Sequence, residues 1–350
     1  MKTTNDQAVA AGHSVDLARW QDAFEGLMNR IAGRFARVEP RRRVKRLVLG
    51  LLSDLPRKNC WTIAEWVGES TPDAMHHLLS RAKWDADAVR DDVRGYVVEH
   101  LYDGRAVLVV DETGDVKKGT GTVGVQRQYT GTAGRIENAQ VAVYLVYAGR
   151  RGHAAVDREL YVPRSWTFDP DRCRAAGLGE DTTFATKPEL AARMVARFLA
   201  AGHPAAWVAG DEVYERGLRR QPETAHRTGG MRHRLRSRGG LLTRSRHRGT
   251  EVPRRRPGQE STQTRLAEAV GRSRSEGPPL LRLAVIDLAD PRPGSRQLLI
   301  RRNRSSGELA YYRCYSPTHD AAHRLGWSDW RRRHQARSQA SHYQRKAAEA

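Results

Sequence analysis

The chain is poor in the residues that define several protein classes. It has three cysteines among 350 residues, Cys60, Cys173 and Cys314, which lie far apart and form no Cys-x-x-Cys pair. This excludes a disulfide framework and a zinc cluster, and it is typical of a reducing cytoplasm. No run approaches the roughly 18 apolar residues of a membrane span, and residues 1–13 lack the apolar core of a signal peptide. We therefore expect a soluble protein that is not exported.

Acidic residues are scarce relative to basic ones. Lys and Arg number 61 and Asp and Glu 40, which gives a net charge of +21 and an isoelectric point near 10.6. Such an excess is typical of a protein that meets a polyanion, so DNA and RNA are the first partners to consider. With 39% hydrophobic residues, a chain of this length can form two or three domains with cores of their own.

The N-terminal part of the chain follows a helical pattern. Apolar residues recur at helical spacing in residues 17–24 and 44–52, near Pro40 and Pro56. We therefore predict a helical, DNA-binding region over residues 1–103. Within it, a helix, a short glycine turn and a second helix fit either a DNA-binding helix-turn-helix or an ordinary helical hairpin in a core.

A basic cluster lies inside this helical region. Arg41, Arg42 and Arg43 begin a helix and are followed by Lys45 and Arg46. The three arginines are candidate DNA contacts because they could neutralise phosphates, although such clusters are equally common on solvated helix faces.

The sequence then changes to strands separated by turns. Residues 106–110, 141–147 and 159–162 predict three strands, residues 187–200 an amphipathic helix, and residues 205–209 a fourth strand, in the order β-β-β-α-β. Between the first two strands, residues 117–131 are glycine-rich and basic. This loop is a candidate substrate contact through Lys117, Lys118 and Arg127, although its glycines can equally mark a flexible turn.

Two of the predicted strands lead into an acid. Asp111 follows the run AVLVV, and Asp211 follows AAWVA and one glycine. We expect both at the C-terminal ends of buried strands, where carboxylates can hold a divalent cation. A single Asp after a strand is most often a turn residue, so the prediction rests on the pair. Paired carboxylates of this kind suit metal-dependent phosphoryl transfer.

Beyond these strands the pattern weakens. Residues 215–256 contain 14 arginines among 42 residues, against three acids. We expect residues 218–279 to be an irregular Arg-rich segment, 280–317 a β meander that continues the catalytic region, and 318–350 a basic irregular tail.

Four motifs carry a family resemblance: LVVDETG at residues 108–114, VGVQRQY at 123–129, NAQV at 138–141 and AGDEVY at 209–214. They resemble the DDE transposases of bacterial insertion sequences, in the group named after insertion sequence seven-oh-one. The resemblance covers about residues 51–214 and 283–317.

The resemblance implies a mixed α+β and α/β fold, in which a helical N-terminal region precedes a ribonuclease-H-like β-β-β-α-β core over residues 104–217. It implies Mg²⁺ or Mn²⁺ as cofactor, with Asp111 and Asp211 as the first two catalytic acids and metal ligands. It implies double-stranded DNA as partner, namely terminal inverted repeats and target DNA. A symmetric DNA substrate favours a homodimer, and the location implied is the bacterial cytoplasm, at the nucleoid.

The family's third acid has no counterpart here. It is a Glu in a Trp-x-x-Glu-Glu-like pattern beyond the segment matching residues 308–315, where this chain offers only Asp329 in different surroundings. The third acid therefore stays unassigned. GC-rich DNA read out of frame yields arginine, glycine, serine and proline, so we hypothesise two frame-shifted segments in a degenerate copy. Such a copy should bind a second cation poorly and show little or no transposition.

Two other functions fit the same sequence. One is a non-catalytic DNA-binding remnant of a transposase, whose affinity should fall steeply with salt. The other is a ribonuclease-like host enzyme on the same architecture. It is less favoured because nothing in the sequence reads the 2′-hydroxyl of RNA, and fold alone does not fix the substrate.

Overall fold

The computed structural model describes residues 16–214, 240–245, 281–287, 295–303 and 309–316. The chain divides into two compact units, and the division falls between Tyr96 and Val97. The first unit is helical and the second contains a mixed sheet, as the sequence predicts. Among the described residues, none of the helices has the length and apolar character that crossing a bilayer would require.

The helical unit begins with α1, which Asp16 caps by accepting a hydrogen bond from the backbone N–H of Arg19. Its helices are α1 (Leu17–Ala32), α2 (Val38–Leu52), α3 (Cys60–Trp66), α4 (Asp73–Ser80) and α5 (Ala86–Leu101), the last of which continues into the second unit. Asn59 caps α3 through a capping box with Thr62. Both caps satisfy N–H groups that have no partner inside the helix.

Apolar side chains from every part of this unit meet in two clusters. The larger contains Phe24, Met28, Ile31, Phe35 and Leu78, and the smaller contains Ile63, Ala64 and Met75. A Cβ added at Gly50 of α2 would lie 2.5 Å from Cγ2 of Ile63, so α2 and α3 pack in close contact. The pair α3 and α4 is thus built into the core. Its packing is compatible with both interpretations of the helix-turn-helix pattern.

The second unit is organised around one mixed sheet. Its strands are β1 (Val107–Val116), β2 (Gln126–Thr130), β3 (Arg135–Gly149), β4 (Gly152–Tyr161), β5 (Trp207–Asp211), β6 (Gly240–Ser245), β7 (Leu281–Asp287), β8 (Ser295–Asn303) and β9 (Leu309–Ser316). They follow the order β2-β3-β1-β5-β6-β9-β8-β7, and β4 also pairs with β3. The pairs β1–β5 and β5–β6 are parallel, whereas the other pairs are antiparallel.

A helix packs on one face of this sheet, across β3 and β4. The helices of the unit are α6 (Arg164–Thr167), α7 (Pro170–Ala175) and α8 (Lys187–Ala200). Met194 and Phe198 of α8 are buried with Leu108 and Val110 of β1 in one apolar cluster. Because side chains alternate along a strand, the even-numbered residues of β1 face α8 and the odd-numbered residues face the other side of the sheet.

The structure corrects the predicted order of elements at two places. The segment 117–131, predicted to be a loop, contains the strand β2, and the Arg-rich segment 218–279, predicted to be irregular, contains the strand β6. β2 is polar, and its residues alternate between half-buried and exposed up to the buried Thr130. An edge strand needs little apolar surface, which explains why composition did not indicate it. The rest of 218–279 and the tail 318–350 lie outside the described residues.

Candidate functional site

Asp111 lies in the middle of a strand and Asp211 at the end of one. The prediction that Asp111 ends its strand is wrong, because β1 continues to pair with β3 from Asp111 opposite Tyr144 to Val116 opposite Ala139. Asp211 is the last residue of β5, as expected. The apolar run of β1 ends at Asp111 but its backbone pairing does not, since hydrogen bonds to β3 require no apolar side chain.

The register of the two parallel strands brings these acids level. Val107, Leu108 and Val109 of β1 lie opposite Trp207, Val208 and Ala209 of β5. Both strands continue for two residues from the last of these pairs to reach Asp111 and Asp211. Residues two apart on a strand face the same side of a sheet, so both aspartates face the side opposite α8.

Backbone N–H groups orient both carboxylates. Oδ1 of Asp111 accepts a hydrogen bond of 2.9 Å from the N–H of Glu112, and Oδ1 of Asp211 accepts one of 3.0 Å from the N–H of Val213. Both aspartates are half-buried. Each bond is local and holds one oxygen of the carboxylate in place, which favours a preorganised pair of acids.

Three further side chains beside the acids form a bonded group that the sequence did not indicate. The Tyr214 hydroxyl donates a hydrogen bond of 2.7 Å to Oε2 of Glu112, and Nζ of Lys187 donates one of 2.7 Å to Oε1. These contacts join residues 102 and 75 positions apart in the chain. A single sequence has no periodicity or spacing that would reveal contacts of that length.

Tyr214 lies within the electrostatic influence of both aspartates. Its side chain is fully buried, and this burial is the largest cause that raises the pKa of its phenol. The carboxylate of Glu112 raises this pKa further, by its charge and by accepting the hydrogen bond. The charges of Asp211 and Asp111 act in the same direction. The phenol therefore stays a neutral hydrogen-bond donor beside three carboxylates.

The oxygen donors on this face fit a hard divalent cation. Besides the two aspartates, Oγ1 of Thr113, two residues further along the same face of β1, is buried without a hydrogen-bond partner in the described part of the protein. Oδ1 of Asp115 also has no such partner, but it lies about 13 Å along the strand from Asp111, too far to share a cation with it. Mg²⁺ prefers oxygen ligands, commonly one or two carboxylates completed by water. Among residues 16–214 and the described strands beyond them, no group of three or more His, Cys, Asp or Glu side chains could hold a metal.

The predicted DNA contacts of the sheet unit lie in and next to the segment that leads into β2. Lys118 and Arg127 are exposed, and Lys117 is half-buried. The Asn138 side-chain amide donates to the carbonyl oxygens of Lys117, at 2.9 Å, and Gly119, at 2.8 Å. A β3 side chain therefore fixes the backbone of this glycine-rich segment, which favours a defined surface over a flexible turn.

The other predicted DNA contacts belong to the helical unit. Arg42 is exposed and Arg43 is half-buried, while Nε of Arg41 donates a hydrogen bond of 2.8 Å to the carbonyl of Phe35. Their neighbours are used inside the unit, since Lys45 and Arg46 form ion pairs with Glu25 and Glu69. Of the three arginines, Arg42 is therefore the most available for a phosphate.

Comparison with known proteins identifies the family. A family model described as DDE superfamily endonuclease matches residues 30–277, well over half of the chain. The match begins before residue 51, where the motif resemblance began, and it includes most of the Arg-rich segment. A protein of Microchaete diplosiphon named "Probable transposase for insertion sequence element IS701" is 34% identical over 172 residues, which are 49% of this chain and 42% of that relative. The aligned part thus spans less than half of the relative's length. The chain belongs to the DDE superfamily endonuclease family.

Proposed function

We propose that this chain is an insertion-sequence transposase that cleaves and transfers DNA strands at transposon ends with Mg²⁺ or Mn²⁺. The observation that carries the proposal is the level placement of Asp111 and Asp211 on adjacent parallel strands. Their carboxylates would hold the cation, and the backbone N–H groups of Glu112 and Val213 would keep them oriented. A bound divalent cation supplies Lewis-acid activation of a phosphate oxygen and of the attacking water or 3′-hydroxyl.

The succession of elements around the acids supports a ribonuclease-H-like core. β1, β3 and β4 form consecutive antiparallel pairs, and after α8 the chain returns in β5, parallel to β1. This is the β-β-β-α-β order of the proposed core, with β2 added as an edge strand. β6 then extends the sheet in parallel beside β5. The two acids occupy the neighbouring parallel strands β1 and β5 of this arrangement.

The charge of the chain supports DNA as the substrate. The net charge of +21 and the exposed Lys118 and Arg127 beside the sheet favour contact with a phosphate backbone. Terminal inverted repeats and target DNA, both double-stranded, are the proposed substrates, and a homodimer on paired ends is the proposed assembly. The similarity to a probable transposase of insertion sequence element IS701 supports this assignment. The proposed location is the bacterial cytoplasm, at the nucleoid.

A second function, a DNA-binding remnant without catalytic activity, is favoured by one observation. Within the described residues, no third acid joins Asp111 and Asp211 in a group able to hold a metal. A two-metal reaction short of one ligand should be slow. Translating the other two reading frames of the gene tests the degenerate-copy hypothesis. A family-like segment with the missing Glu pattern would support it, and its absence from both frames would remove it.

A cleavage assay with DNA-binding controls tests the proposed function. The full chain is incubated with labelled duplexes that carry the inverted repeats flanking its gene, or shuffled repeats, in Mn²⁺, Mg²⁺ or EDTA. We expect salt-sensitive binding to the repeats, and any nicking should require the cation and disappear in Asp111→Ala and Asp211→Ala. Nicking that survives both substitutions would exclude the proposed site. Binding without any nicking would favour the remnant, and failure to bind DNA would contradict both functions.

A further inference from the structure

The backbone pairing between β1 and β5 stops before it reaches the two acids. The last pair in register is Val109 with Ala209, and Asp111 and Asp211 each lie two residues further on. Beyond this pair β1 is held by β3, and β5 is held as far as Asp211 by β6. The chain then leaves the strand in a 3-10 helix, Glu212–Tyr214. Backbone hydrogen bonds between β1 and β5 therefore do not fix the distance between the acids.

A side-chain bridge crosses this gap. Tyr214 stands three residues after Asp211, and Glu112 stands one residue after Asp111. The hydrogen bond of 2.7 Å between them therefore connects the segments that follow the two acids. Tyr214 is fully buried in the apolar cluster beneath α8, so its ring cannot follow a sliding strand without losing its packing. The bridge fixes β1 and the end of β5 against each other at the level of the acids.

Lys187 donates a hydrogen bond to the second carboxylate oxygen of Glu112. It is the first residue of α8, whose start is fixed by the capping box of Thr186 and Glu189. Its Nζ donates 2.7 Å to Oε1 of Glu112 and lies 5.5 Å from the centre of the Tyr161 ring. The ammonium pairs with the Glu112 charge, which would otherwise add to those of the two aspartates. Glu112 thus receives one donor on each oxygen, from α8 and from the chain after β5.

We propose that Tyr214 and Lys187 are positioning residues, which hold Asp111 and Asp211 level through Glu112 so that the two aspartates bind one divalent cation. This inference rests on the proposed function, because it assumes that the aspartates are the metal ligands. In this role neither Tyr214 nor Lys187 contacts the cation. Side chains that orient metal ligands from outside the coordination sphere contribute about 10- to 100-fold to metal affinity.

Titration of the full chain with Mn²⁺ alone, followed by the loss of the electron paramagnetic resonance signal of free Mn²⁺, tests the inference. We expect Tyr214→Phe to weaken Mn²⁺ binding by about 10-fold. Lys187→Met should weaken it less, because losing the ammonium also removes a positive charge that opposes a bound cation. Lys187→Arg keeps the positive charge and should restore most of the affinity. Asp111→Asn removes a proposed ligand and should abolish binding.

Tyr147→Phe is the matched control for the tyrosine. Tyr147 is fully buried in the same apolar cluster as Tyr214, and its hydroxyl bonds the backbone of Asp103 at 3.0 Å and 3.3 Å. Each substitution therefore removes one buried hydroxyl, and we expect similar losses in the denaturation midpoint. Only Tyr214→Phe should weaken Mn²⁺ binding.

Three other outcomes would overturn the positioning role, the proposed metal site or both. If Tyr214→Phe and Lys187→Met bind Mn²⁺ as wild type does while Asp111→Asn does not, the positioning role is wrong and the proposed site stands. If Tyr147→Phe weakens binding as much as Tyr214→Phe, general loosening of the sheet explains the effect and the positioning role is again wrong. If the wild-type chain binds no Mn²⁺, both the proposed site and the positioning role are overturned.

Discussion

Replacing Arg197 by methionine should destabilise the sheet unit strongly. The Arg197 guanidinium on α8 donates to both carboxylate oxygens of Asp157, each at 2.9 Å, and to Oε1 of Glu159 at 2.7 Å. The Asp157 side chain is 0% exposed. Methionine retains much of the aliphatic stem but removes the guanidinium that pairs with the buried Asp157 charge, and breaking a buried ion pair in this way typically costs about 3–5 kcal/mol. The bond joins α8 to β4, so its loss should weaken the attachment of the helix to the sheet.

Urea unfolding measures this effect against a matched control. With typical urea dependences, a loss of this size lowers the unfolding midpoint by about 1 M or more. Arg174→Met removes an ion pair of 2.7 Å with Asp171, but there the side chains are 62% and 92% exposed, so the cost should stay below about 1 kcal/mol. The double variant Asp157→Leu, Arg197→Met should recover much of the loss. Equal midpoint shifts for Arg197→Met and Arg174→Met would show that burial of the Asp157–Arg197 pair adds nothing to its stabilising effect.

Two further predictions concern stability, one in the sheet unit and one in the helical unit. Gly114→Ala should lower the free energy of urea unfolding by about 1–3 kcal/mol, because the new Cβ would lie 2.6 Å from Cβ of the buried Thr130. The control Gly104→Ala, whose Cβ would meet no atom within 4 Å, should be nearly neutral. Equal losses for the two variants would contradict this packing effect. Asp92 has a lowered pKa, chiefly because Arg34 donates hydrogen bonds to it. Its stabilising contribution is therefore complete above the unfolded pKa of about 3.9 and is lost as the pH falls through the lower folded pKa. Arg34→Met should remove this acid-sensitive part of the unfolding free energy. An unfolding free energy that depends on pH as it does in the wild type would show that the pair with Arg34 is not its cause.

The apolar patterns predicted the strands at the centre of the sheet. The runs before Asp111 and Asp211 became the adjacent strands β1 and β5, because a strand buried on both faces needs continuous apolar residues. The helix over residues 187–200 was predicted with the same bounds as α8 from its apolar face and from Pro188 in its first turn, and the structure adds a capping box at Thr186. Local signals were sufficient wherever burial and caps agreed.

Features that depend on distant partners could not be predicted. β2 is polar and is held as a strand by its pairing with β3, and β6 lies within an Arg-rich stretch where no apolar period indicated a strand. The bridge from Tyr214 to Glu112 depends on the meeting of β1 with the end of β5, which a single sequence does not specify. Asp111 was misplaced at a strand end because the change from apolar to polar residues marks the limit of burial rather than the limit of pairing.

The proposed site requires that Asp111 and Asp211 share one divalent cation. A crystal of the full chain grown with Mn²⁺, with data collected near the manganese absorption edge, shows directly whether they do. We expect one anomalous peak within coordination distance of both carboxylates, on the side of the sheet opposite α8. A peak that contacts only one of the two aspartates, or no peak at either, would contradict it.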